Sequence, residues 1–69
     1  MDSAPNRLRG WRRAAGITVP ALAARLEVTQ AAVEHWLSGR RIPTGAHAAA
    51  IERLTGGLIP AAAWYEAAA

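Results

Sequence analysis

Two short helical patterns separated by only three residues constrain this chain more than any other feature. The first is Val19 to Leu26 (VPALAARL) and the second Gln30 to Ser38 (QAAVEHWLS), with Glu27, Val28 and Thr29 between them. So short a connection makes the two helices cross steeply, so that one can lie in a groove while the other braces it. Thr18 and Thr29 stand at N-cap positions, where a side-chain oxygen takes a free N–H of the first turn. Pro20 falls in a first turn, where its missing N–H is no loss. Gly39 ends the second helix. Leu22, Ala23 and Leu26 form the inner stripe of the first helix. Ala23 must stay small, because a larger side chain would push the pair apart. Val28 plugs the core from the turn. Val33, Trp36 and Leu37, spaced i, i+3, i+4, face inward. The outer face of the second helix is then Gln30, Ala31, Glu34 and His35, with Ala32 at its edge.

The rest of the chain reads as support for residues 18–39. Residues 1–5 read as a flexible arm, and Asn6 as the cap of a helix from Arg7 to Ala15 with Leu8, Trp11 and Ala15 on its buried face. Gly16 ends that helix and Ile17 enters the core. After the central pair, Arg40-Arg41-Ile42-Pro43 is a loop with Ile42 as its core anchor. Thr44 caps a helix from Gly45 to Leu54 whose inward positions are Ala48, Ile51 and Leu54 or Thr55. Gly56 and Gly57 stop it, Leu58 and Ile59 return to the core, and a short helix occupies residues 60–66. The expected fold is all-α, a compact five-helix bundle forming one domain over residues 1–69.

Charge narrows the function classes. All eight basic residues among the 69 are Arg, and all but Arg25 and Arg53 cluster at 7–13 and 40–41. The net charge is +3 and the pI is near 11.2. About a quarter of the chain is Ala, well above ordinary usage. A GC-rich coding sequence accounts for both biases; a preference for Arg on phosphate is the functional account of the Arg bias alone. Clustered Arg at this pI is the electrostatic footprint of a nucleic-acid binder. There is no Cys, hence no disulfide or thiolate metal site. No apolar run approaches the roughly 20 residues of a membrane span. His35 and His47 lie on different helices without a partner at ligand spacing, so no metal is expected. No nucleophile–base–orienter set is present, so an enzyme is not expected.

The pattern LRGWRRAAGIT…LAARLEVTQAAVEHWLSGRRIP resembles the Cro/CI-type helix-turn-helix family of phage repressors and bacterial regulators, the lambda-repressor-like bundles. The likeness runs from Leu8 to Leu58. It rests on Arg12, Gly16, Ile17 and Thr18, on Leu22-Ala23, on Val28, Val33 and Trp36, and on Gly39 and Pro43. Three positions depart from the family pattern. Glu27 stands where the turn often has Gly, so either a non-Gly residue sits at positive φ, at a cost of about 1 kcal/mol or more, or the turn differs slightly from that of the family. Val19 replaces a Gln that often touches phosphate. Leu37 replaces a Glu that in some relatives pairs with the helix 1 Arg.

The resemblance implies a sequence-specific DNA-binding regulator, a repressor on a palindromic operator, acting as a homodimer in the cytoplasm of a bacterial host. It implies no cofactor and no small-molecule substrate. Gln30, Ala31, Glu34 and His35 are the candidate base readers. An amide at Gln30 can donate to and accept from adenine at once, a methyl at Ala31 can meet thymine, and Glu34 can accept from cytosine N4. His35 can donate to guanine or to phosphate. Thr18, Thr29, Arg12, Arg40 and Arg41 are the candidate phosphate contacts. Leu58, Ile59, Trp64 and Tyr65 are the candidate dimer contacts. Two other readings stay open: an antitoxin or autoregulator whose main partner is a protein, and a protein-interaction module that has lost DNA binding.

Overall fold

The computed structural model describes residues 3–66. Five α-helices follow one another, α1 (Ala4–Ala15), α2 (Val19–Leu26), α3 (Gln30–Ser38), α4 (Gly45–Leu54) and α5 (Ala61–Glu66), and the described residues contain no strand. α1 packs on α3 and α5, α2 on α3 and α4, and α4 on α5. One core results, around Leu8, Leu22, Val33, Ile51, Ile59 and Trp64, all essentially without solvent contact. No helix among the described residues is long and apolar enough to cross a membrane.

The ends of the helices explain how so short a chain is folded so tightly. The hydroxyls of Ser3, Thr18 and Thr29 accept from the N–H groups of Asn6, Ala21 and Ala32. At the other end α1, α2, α3 and α4 close in the same way. A residue in the left-handed conformation sends its N–H back across one turn, and the residue after it reaches one position further. In α1 these bonds run from Gly16 to Arg13 O and from Ile17 to Arg12 O; in α3 they run from Gly39 to Trp36 O and from Arg40 to His35 O. In α4 they run from Gly56 to Arg53 O and from Gly57 to Glu52 O. The turn between α2 and α3 is built identically, Glu27 N–H to Ala24 O at 3.2 Å and Val28 N–H to Ala23 O at 3.0 Å. Glycine holds the left-handed position in three of these turns. In the fourth it is Glu27, at φ 57°, the only non-glycine with positive φ among the described residues.

Several expectations from the sequence need correction. Of the expected arm, residues 1 and 2 lie outside the described residues, while α1 already begins at Ala4, capped by Ser3 rather than Asn6. Ala4 is buried, so packing supports the extra turn. Ala15 lies on the exposed side of α1, and Trp11 is only half-buried. Ile42 is not the core anchor. It is 41% exposed, while its neighbour Pro43 is fully buried. Leu58 does not return to the core either; it is 55% exposed. Thr44 takes the N-cap backbone conformation of α4 but makes no side-chain cap bond. Thr55, by contrast, organises the last turn. Its buried hydroxyl donates to Ile51 O at 2.8 Å and accepts from Ile59 N–H at 3.3 Å. Glu52 Oε1 then accepts from Ala61 N–H at 2.8 Å and starts α5.

Two arginines of α1 serve as staples. Arg9 donates through Nη1 to Asn6 Oδ1 at 2.9 Å and through Nη2 to Leu37 O at 2.6 Å, at the C-terminal end of α3. A cation is favoured there, beside the unsatisfied carbonyls of a helix end. Arg12 donates through Nη1 to Ile17 O at 3.0 Å, and its Nε is buried without a partner. The side chain and the carbonyl of Arg12 therefore grip Ile17 from both sides, fixing the connection into α2.

Two stability measurements follow. Glu27→Gly removes the left-handed penalty and adds some freedom to the unfolded chain, for a net gain of about 0.5–1 kcal/mol. In a chain of this size that raises Tm by about 2–8 °C; an unchanged or lower Tm would show that the turn is unstrained. Arg9→Ala should cost about 1–2 kcal/mol in urea unfolding, whereas Arg13→Ala, at an exposed position, should stay within about 0.5 kcal/mol of the parent.

Candidate nucleic-acid interface

The turn at Glu27 and the burial of one face of α3 together decide what α3 presents. Val33, Trp36 and Leu37 are buried against the rest of the bundle. The opposite face is therefore turned to solvent by geometry, since residues at i and i+4 share a face and the core has taken the other. Gln30, Ala31 and Glu34 are exposed, and His35 and Ala32 are half-buried. The outer face inferred from the sequence is the one observed. A helix is about 10–12 Å wide, the width of the B-DNA major groove.

Gln30 is the first residue of α3, directly after its cap, so its side chain stands at the tip of the helix. Glu34 follows one turn later on the same side. Thr29 is exposed, with its oxygen on Ala32 N–H at 3.1 Å. Thr18 is exposed likewise, with its oxygen on Ala21 N–H at 3.3 Å. Both hydroxyls cap their helices and keep an O–H free to donate.

Beyond α3 the chain turns sharply. The N–H groups of Arg40 and Arg41 both return to His35 O, at 2.9 and 3.2 Å. This pins the backbone of the loop while both guanidinium groups remain exposed. Arg40, Arg41 and the outer face of α3 thus form one continuous surface. Arg12, half-buried, donates through Nη1 to Ile17 O, which takes up one nitrogen of its guanidinium. Of the residues considered for a dimer contact, Leu58 and Tyr65 are exposed, at 55% and 51%, whereas Ile59 and Trp64 belong to the core.

An open groove of about 390 Å³ runs between α3 and the start of α4, lined by His35, Trp36, Arg41, Ile42, Thr44 and His47 among others. Ile42 is on the surface because it forms one wall of this groove. His47 carries no functional signal in the sequence: it lies one turn into α4 and twelve positions from His35. The fold brings it to α3. Its ring lies 5.5 Å from that of Trp36, centroid to centroid, and its Nδ1 is 3.3 Å from Thr44 Oγ1. Among the described residues no group of three or more His, Cys, Asp or Glu side chains is placed to hold a metal ion.

The arrangement suits recognition of a rod-like polyanion with information on its edges. A helix with a short polar face projects from a rigid base, and cations border it. Searches of curated proteins and of solved structures gave no significant match. A family model described as a helix-turn-helix domain matches residues 6–67, nearly the whole chain. The chain belongs to the helix-turn-helix domain family.

Proposed function

We propose that the protein is a sequence-specific transcriptional regulator of the Cro/CI type, of phage or bacterial origin, that represses by occupying a palindromic operator as a homodimer. The observation that carries this reading is the division of α3 into a buried face and a solvent face that offers Gln30, Ala31, Glu34 and His35. In this reading α3 enters the major groove. Gln30 makes the paired hydrogen bonds to adenine N6 and N7, the Ala31 methyl meets thymine, and Glu34 accepts from cytosine N4. Glu34 also repels phosphate, so it excludes misplaced registers as well as reading its own base.

Phosphate contacts position the protein and base contacts specify the site. Arg40 and Arg41 serve the first purpose from a pinned loop. The exposed hydroxyls of Thr18 and Thr29 and the first turns of α2 and α3 add donors on the same side of the backbone. Leu58 and Tyr65, two of the three large exposed apolar side chains among the described residues, are the natural contact between two copies, each reading one half-site about one DNA turn from the other. Repression is by occlusion of polymerase in the host cytoplasm, without catalysis or cofactor.

Anisotropy titrations on a duplex from the region upstream of the protein's own gene test this. Gln30→Ala should weaken binding there by about 1–3 kcal/mol and leave binding to random duplex nearly unchanged; equal losses on both would remove Gln30 from base reading. Replacing Arg40 and Arg41 together with Ala should reduce the slope of log affinity against log salt by about 2. A slope that stays the same would assign the two arginines to solvent.

A further inference from the structure

The chain has two histidines, and both line the groove between α3 and α4, together with Arg41. No carboxylate lines this groove. His47 is held in place from two sides, by the ring of Trp36 and by Thr44 Oγ1 at its Nδ1. With Nδ1 engaged, Nε2–H is the donor left free when the ring is protonated. Both imidazoles are half-buried rather than sealed. The Thr44 hydroxyl is turned to His47 instead of capping α4, so the local hydrogen bonding orients this ring. Arg41 enters the groove from the loop already assigned to the DNA backbone.

We propose that His47, with His35 and Arg41, forms a proton-dependent clamp on a DNA backbone phosphate in this groove, so that DNA binding is coupled to proton uptake. The proposal rests on the DNA-binding reading above and adds to it a contact residue, His47, and a regulation by pH. The chemistry is simple. The groove is lined by Arg41 and both imidazoles and by no carboxylate. A phosphodiester there is an opposite charge beside the rings and favours their charged form. Imidazole is the side chain whose charge changes between about pH 5 and 8, and the charged ring makes the stronger hydrogen bond to an anion. The complex therefore holds more protons than the free protein, and affinity rises as pH falls.

Because the contact is to backbone, a 20-bp duplex of arbitrary sequence with 5′-hydroxyl ends, at low salt, is a sufficient probe. Affinity should be about threefold to tenfold higher at pH 5.5 than at pH 8.0. The salt slope should be steeper at pH 5.5 by about 0.9 for each added phosphate contact. His47→Gln should bind at pH 5.5 as the parent does at pH 8.0, and most of the pH dependence should vanish. His47→Arg carries its charge at every pH and should bind at pH 8.0 nearly as the parent does at pH 5.5. Circular dichroism establishes that each variant is folded. Should either variant fail to fold, the parent's salt slopes at the two pH values still decide. Equal parent affinities and slopes at both pH values would overturn the clamp while leaving DNA binding intact. Full pH dependence in His47→Gln would also overturn it. Absence of binding to any duplex at either pH would overturn the DNA-binding reading and the clamp together.

Discussion

The hydrogen bond from Val28 N–H to Ala23 O is the constraint on which the rest of the structure depends. It closes the left-handed turn at Glu27 and sets the direction in which α3 leaves α2. If α3 is rotated about its axis, Val33 and Trp36 leave the core and Gln30 and Glu34 leave the surface. The turn and the core therefore enforce the same orientation from two sides. Helix packing alone permits a spread of crossing angles; a closed turn with both bonds made narrows it. The chain keeps this geometry with Glu at a position that favours Gly, and the packing of the two helices must outweigh the backbone cost.

The arginines divide into two groups with opposite jobs. Arg9 and Arg12 are turned onto backbone carbonyls at Leu37 and Ile17. They hold α1 to the C-terminal end of α3 and to the connection into α2. Arg40 and Arg41 remain exposed on a loop whose own amides are fixed. α3 is held by its packing on α1 and α2, and stapling its base preserves the direction of its outer face. In the proposed complex the exposed pair then meets a target whose position is already determined by the stapled pair.

Much of the fold was legible in the sequence because its helix boundaries are set by local chemistry. The bounds of α2, α3 and α4 and the caps at Thr18 and Thr29 follow from residues within one turn, whereas the positive φ at Glu27 was legible only through the family resemblance. The same signature, a hydroxyl cap with Pro in the first turn, marks Ser3–Pro5, yet an N-terminal segment read alone gives no hint that Ala4 is buried. Failures elsewhere share a cause. Ile42 and Pro43 differ by one position, and hydrophobicity favours Ile as the anchor, but the chain direction after Gly39 turns Pro43 inward. Leu58 and Ile59 are likewise adjacent, and only one can face the core. Of the site, the α3 face was legible by periodicity. The commitment of Arg12 to Ile17 and the approach of His47 to Trp36 were not, because each depends on how two elements meet.

In vitro selection of bound duplexes from a random pool tests the central claim most directly, that the outer face of α3 reads DNA sequence. The expected result is enrichment of one motif with two-fold related halves, in which replacing Gln30 changes the preferred base at one position of each half. Recovery of unenriched sequence, or an unaltered motif when Gln30, Glu34 and His35 are all replaced, would contradict it.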